Sequence, residues 1–293
     1  ITNSGVLQQK LCVDLSTRQS PRMSLGEKLL TQEYDHLKPI STISLYEGGA
    51  AFARCEFSAA KNKFQQSLTM EKNNPEALIY LNNAQAITQE HIKIAVSVPL
   101  GSQPGVAWEI LRGVAQAQTE INQQGGIKQK LLLVQVINDD NNTEVARYLA
   151  KQLTKDETIL AVVGHNDSNT SLAAAEIYQQ QGLVMISPTS GSTKLSGIGS
   201  YVLRTTPSVA VMANTLADYA LSNSLTKIAI CSDPSSSAST SFTQEFIASM
   251  TEGGGEISAV ECNFSQGNFQ PQILVEQIIS QNANAILLVP SIT

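Results

Sequence analysis

The chain has 293 residues, 42% of them hydrophobic and only 15% charged, with a formal net charge of −6. That length holds two or three cores, and the acidic balance excludes nucleic acid or an anionic membrane surface as the main partner. No run of 18 apolar residues offers a membrane span, and the start Ile-Thr-Asn has neither Met nor a signal-peptide pattern. A trimmed or mature chain is expected, its export signal or anchor removed.

Residues 1–24 show no period and read as an irregular arm. From Ser24 to Gln89 the pattern is helical. Gly48, Ala51, Ala60 and Phe64 have the small-small-small-large spacing of a helical hairpin, in which Gly48 and Ala60 let two backbones approach and Phe64 fills the gap. Pro75 opens a third helix with Asn74 as its N-cap. At His91 the period changes from helical to strand. Ile92–Val98 is a strand, Val106–Gln124 a helix stopped by Gly125-Gly126, and Leu131–Ile137 a strand ending at Asp139-Asp140. A helix follows over Thr143–Thr154, for which Asp139 and Asp140 are the expected caps.

Two strand–loop–helix units come next. Ile159–Val163 stops at Gly164 and leads through Asn166-Asp167-Ser168-Asn169-Thr170-Ser171 into a helix over Leu172–Gln181. Leu183–Ile186 ends in Ser187-Pro188-Thr189-Ser190-Gly191-Ser192. Ligands of a parallel α/β sheet sit outside the carboxyl ends of its strands, where helix N-termini offer free N–H groups. Loops crowded with hydroxyls there suit a carboxylate or another small polar molecule. A short strand at Tyr201–Pro207 closes this layer. A second layer then runs through a helix at Met212–Ser222, a strand at Lys227–Cys231, a helix at Thr240–Met250 stopped by Gly253-Gly254-Gly255, a strand at Ile257–Cys262, a helix at Pro271–Ser280 and a strand at Ala285–Val289. It has three strands at Thr293 and reads as unfinished. The fold class is α/β with doubly wound parallel sheets. The expected division is a helical segment with its arm (1–90), a first lobe (91–206) and a partial second lobe (207–293).

The cysteines Cys12, Cys55, Cys231 and Cys262 have no CxxC spacing, which excludes zinc. They read as four separate thiols, with a Cys231–Cys262 bridge as the alternative because both lie near strand ends. His165 follows a buried strand with no evident nucleophile or activating carboxylate, so it is not assigned as a base. The paired glycines are helix stops, and no GxGxxG or GxxxxGK[ST] is present. No cofactor, metal or catalytic residue is expected.

Residues 91–293 resemble the type I periplasmic binding proteins, in particular the branched-chain amino acid and amide receptors of ABC transporters. The segments AQTEINQQGGIKQKLLLVQVINDDNN, AVVGHNDSNTSLAAAEIY, GLVMISPTSGSTKLS and YVLRTTPS carry the resemblance together. Residues 43–86 resemble one and a half tetratricopeptide repeats, so the whole looks like a cyanobacterial-type fusion of such helices to a receptor. The resemblance implies a ligand site at Ser168, which would hold a carboxylate, with Thr189, Ser190, Gly191 and Ser192 in the second loop. Gln103 and Trp108 are added as cleft candidates, because Val106 stands where the family often has an aromatic. The family's hydroxyl position falls on Gly191, and Val209-Ala210-Val211 supplies no acid for an ammonium group. For Ser168 the plain alternative is a helix N-cap; for Ser190, a turn residue; for Trp108, helix packing. The implied function is an extracytoplasmic, non-enzymatic receptor for an amino acid or amide, closing by hinge motion at Thr205–Ser208 and read by an ABC permease or an associated signalling protein. The alternative is an interaction or sensor protein in which the helices dock a partner and ligand binding is lost.

Overall fold

The computed structural model describes residues 20–34, 42–260, 262–263, 265–266 and 269–291. Cys12, most of the expected arm and residues 35–41 of the expected helical stretch lie outside the described residues.

The arm contributes a two-residue strand, β1 (Met23–Ser24), then bends and a 3-10 turn at Thr31–Glu33. The helical reading therefore fails over 24–34. Ser24 explains part of this, because its hydroxyl donates to Lys28 O (2.7 Å) and accepts from Gly26 N (3.0 Å), a local alternative to helix. Helices α1 (Thr42–Ala53), α2 (Phe57–Met70) and α3 (Pro75–Ala86) follow. The hairpin is as tight as its spacing predicts. A Cβ on Gly48 would lie 2.6 Å from the Phe64 ring, and Ala60 and Phe64 are fully buried. Asn74 caps α3 by accepting from Ala77 N at 2.9 Å.

The first sheet contains β2 (His91–Val98), β3 (Leu131–Asn138), β4 (Ile159–Val163), β5 (Val184–Ser187) and β6 (Val202–Arg204) in the order β1-β3-β2-β4-β5-β6. All its pairings are parallel except β1 with β3. One face packs under α4 (Pro104–Gln123) and the helical segment, with Val96, Val98, Leu133, Phe64 and Tyr80 in one continuous core. The other face packs under α5 (Thr143–Leu153) and α6 (Ser168–Gln181) through Ala95, Ile137, Leu149 and Tyr178. The helices α1–α3 thus share a core with the first lobe.

The free edge of β3 shows how they dock. The Asn83 carboxamide of α3 accepts from Val134 N (2.9 Å) and donates to Val134 O (2.6 Å). Asn122 of α4 treats Leu132 the same way, at 2.6 and 3.1 Å. Ser24 of β1 pairs with Val136. Alternate residues of an otherwise open edge are thereby satisfied by side chains and one short strand.

After residues 205–208 the chain enters the second lobe: α7 (Val209–Ser222), β7 (Lys227–Ser232), α8 (Ser237–Glu252), β8 (Glu256–Ile257), β9 (Cys262–Asn263), α9 (Pro271–Ser280) and β10 (Ala285–Val289). The expected strand 257–262 is broken into β8 and β9, both parallel to β7 on one side, while β10 pairs with the other side. Cys231 and Cys262 face each other in register and are bridged, with Cα atoms 4.5 Å apart. Cys55 is also disulfide-bonded, so the reading of separate thiols is overturned for the described cysteines. The outer sides of β10 and α9 expose Ile286, Leu288, Ile273 and Ile279.

Candidate functional site

The two lobes face each other across a cleft of about 590 Å³. Its first-lobe wall is polar and comes from the loops after β2, β3, β4 and β5. Ser102, Gln103, Asn141, Asn166, Ser168 and Thr189 all line it. The opposite wall combines apolar Val209, Met212, Phe242 and Val289 with Ser235, Ser236, Ser239 and Ser291, and Val106 adds an apolar side chain from the first lobe. Among the described residues no group of three His, Cys, Asp or Glu side chains could hold a metal ion.

Of the seven residues singled out from the sequence, Ser168, Thr189, Gly191 and Gln103 line the cleft, whereas Ser190, Ser192 and Trp108 do not. Ser190 is buried, its hydroxyl 2.5 Å from that of Ser171. The Ser192 hydroxyl is also buried and meets Ser241 of the second lobe at 3.0 Å. Trp108 sits partly buried on the first turns of α4, outside the lining. Gly191 has a steric reason to lack the family's hydroxyl, since a Cβ there would lie 2.6 Å from Val209 Cγ1.

The helix begins at Ser168, four residues earlier than its apolar pattern, because Asp167 is the cap. Asp167 Oδ1 accepts from Asn169 N (2.7 Å) and Thr170 N (3.2 Å). Ser168 is therefore not the N-cap. Its Oγ accepts from Ser192 N at 3.3 Å, joining the loops after β4 and β5. Four of the backbone N–H groups expected to point at a carboxylate are spent internally: those of Asn169 and Thr170 on Asp167, that of Ser190 on Ser187 Oγ (3.1 Å) and that of Ser192 on Ser168.

Behind these loops lies a buried network that sequence reasoning missed. Asp139 Oδ2 accepts from Ser97 Oγ (2.7 Å) and contacts His165 Nδ1 (2.6 Å), while His165 Nε2 meets Tyr178 Oη at 3.2 Å. Burial pushes the Asp139 carboxyl up, but the His165 bond and charge with the Ser97 bond outweigh it, and the group titrates below the usual range. Burial, with the nearby Asp139 charge, pushes the Tyr178 phenol up. The His165 carbonyl takes hydroxyls from Ser187 (2.9 Å) and Ser171 (3.1 Å). His165 thus ties together the loops after β3, β4 and β5, and Asp139 links them to Ser97 near the end of β2. Asp139 and Asp140 are not the caps of α5; Asn142 is, accepting from Glu144 N and Val145 N at 3.0 Å each. Asp140 instead holds Gly101 N (2.9 Å) and Ser102 N (2.6 Å) beside the cleft. The available signal was positional: Ser97, Asp139 and His165 all lie at or just past the ends of three strands whose order is β3-β2-β4.

Two doubly wound lobes with hydroxyl-rich loops around a central cleft define a bilobal solute-binding fold. The profile of the periplasmic binding protein family matches residues 91–291, and the chain belongs to that family. The Leu/Ile/Val-binding protein of Escherichia coli K12 is 32% identical over 150 residues, covering 50% of this chain and 39% of the relative. The leucine-specific-binding protein of Salmonella typhimurium is 31% identical over 147 residues, 49% of this chain and 39% of the relative. Among solved structures, an ABC transporter substrate-binding protein of Desulfitobacterium hafniense in complex with leucine aligns with a TM-score of 0.60 and 28% identity, covering 68% of this chain and 58% of that one. The matched stretch therefore spans about two fifths of the curated relatives.

Proposed function

We propose that this chain captures a small amphipathic ligand, of amino acid or amide type, as part of a non-enzymatic solute receptor. The observation that carries the reading is the cleft itself, with polar first-lobe loops that include Ser168 and an apolar patch at Val209, Met212, Phe242 and Val289 on the facing lobe. A carboxylate or amide would meet Ser168 and Thr189, and an aliphatic body would lie against the second lobe. The relatives are named for leucine, isoleucine and valine binding, which fits that division. Residues 205–208 act as the hinge between lobes. The closed state is then read by an ABC permease or an associated protein. An extracytoplasmic site of action suits the Cys231–Cys262 bridge, since disulfides persist in oxidising compartments. Among the described residues no helix is long and apolar enough to cross a membrane.

The test is calorimetry of the chain against leucine, isoleucine, valine, small amides and urea, repeated on Ser168→Ala. A hydrogen bond to a charged group is worth about 1.5–3 kcal/mol, so Ser168→Ala should weaken binding about tenfold or more. Absence of heat with every compound overturns the receptor reading. Equal affinity of wild type and variant removes Ser168 from the site.

A further inference from the structure

We propose that Asn169, on the rim of the cleft with Ser235 and Ser236, is a clasp between the lobes, a positioning residue that favours the closed cleft through its bonds to the second lobe. This rests on the receptor reading above. Asn169 is the second residue of α6, and its carboxamide reaches across to the second lobe with both ends. Its Nδ2 donates to Ser235 O at 3.0 Å, and its Oδ1 accepts from Ser237 N at 3.0 Å.

Both sides of this contact are set before the lobes meet. On the first lobe, Asn169 N is held by Asp167 Oδ1 at 2.7 Å, which fixes the residue at the start of α6. On the second lobe, Asp233 Oδ1 accepts from Ser235 N (2.9 Å) and Ser235 Oγ (2.6 Å), shaping the loop that presents the Ser235 carbonyl. Ser236 caps α8 by accepting from Ser239 N at 3.3 Å. Ser237 is the first residue of α8, so its N–H has no acceptor within the helix. In the open protein that donor turns to water; in the closed one it finds Asn169. The Ser192–Ser241 hydroxyl pair lies on the same side and adds a weaker tie. Because both partners of Asn169 are backbone groups, closure is recognised by the shape of the 235–237 turn.

Ser237→Pro tests this from the opposite lobe. Proline lacks the N–H, suits the first position of a helix, and demands an extended residue before it. Ser236 has φ −97° and ψ 121°, so lobe two accepts the change without strain. Its ring also takes the space that Asn169 Oδ1 occupies. Asn169→Ala removes the clasp from the first lobe.

The experiment measures the distance between spin labels on Lys151→Cys and Glu252→Cys, one on each lobe, without ligand and with L-leucine, alongside leucine affinity. Two neutral hydrogen bonds contribute factors of roughly 2 to 10 each. Asn169→Ala and Ser237→Pro should each lower the closed population and weaken leucine binding about tenfold, and the double variant should be no weaker than the worse single one. Thermal unfolding without ligand should be the same for all three. Unchanged distances in both single variants, or effects that multiply in the double variant, overturn the clasp. A closed population that falls in the variants while leucine fails to bind even the wild type supports the clasp and sinks only the leucine reading. A wild type that never closes, with or without leucine, overturns both.

Discussion

Replacing Asn83 by alanine should uncouple the helical segment from the first lobe. The Asn83 side chain is fully buried and makes four hydrogen bonds, to Val134 N, Val134 O, Leu25 O (2.7 Å) and Gln118 Nε2 (2.8 Å). Three of these partners are backbone groups in a buried interface. Alanine leaves them unsatisfied, and each stranded buried group costs about 1–3 kcal/mol. Relaxation and an entering water recover part of that, so a net loss of about 3–5 kcal/mol is expected, at the upper end for single substitutions. Urea unfolding followed by circular dichroism and by the fluorescence of Trp108 gives the number. The two signals should coincide in the wild type, because α1–α3 share a core with β2, β3 and α4. They should separate in the variant, with helix lost first. A loss below 1 kcal/mol with coincident transitions would refute the idea that side-chain amides replace a missing strand at this edge.

Other consequences follow from single contacts. Gly191→Ala drives a methyl group to 2.6 Å from Val209 at the crossover, and overpacking of that kind costs about 1–3 kcal/mol; a thermal melt that does not fall would show that the hinge region simply shifts. Burial raises the Glu76 carboxyl of α3 despite its bonds from Leu30 N (2.7 Å), Thr31 and Tyr80 (3.0 Å). The native state therefore holds its proton to higher pH than the unfolded chain, so this contribution is full below pH 4.5 and is lost as pH rises through the folded value. Urea midpoints between pH 4 and 8 should show that decline in the wild type and a flatter curve in Glu76→Gln. Asp139 has the opposite sign, with stability present above pH 3.8 and lost as pH falls below it; Asp139→Asn should remove that acid limb. Reducing Cys231–Cys262, 31 residues apart, frees a loop worth about 3–4 kcal/mol in the chain-entropy model. Denaturant unfolding of the second lobe with and without reductant measures it.

The layer order and most elements were legible because buried parallel strands and amphipathic helices carry strong periods. Pro271–Ser280 and Ala285–Val289 were read to the residue. The hairpin was legible because Gly48 opposite Phe64 leaves no room for a side chain. What failed was decided by short polar side chains. Asp167 and Asn142 are the caps where the sequence offers Ser168, as its plain alternative, and Asp139 with Asp140, since shifts of one to three residues among Asn, Asp and Ser leave a sequence pattern unchanged. The Asp139–His165 pair stayed hidden because its members are 26 residues apart and meet only through strand order. Ser190 and Ser192 looked the same as Ser168 in sequence; their hydroxyls are consumed by Ser171 and Ser241, which no local rule reveals. Met23 and Ser24 joined a sheet edge that only the folded lobe creates.

The two lobes meet their surroundings very unequally at their sheet margins. In the first lobe one margin is sealed by amides and β1, and the other, β6, is three residues long. In the second, β10 presents five residues along an edge, with Ile286 and Leu288 turned outward at 43% and 61% exposure. Concentrated samples of this stretch should therefore associate through the second lobe, strand against strand, while the first stays inert. Charged residues placed at 286 and 288 would be the economical way to keep it dispersed for ligand work, because they leave the inward-facing Leu287 and Val289 in their core.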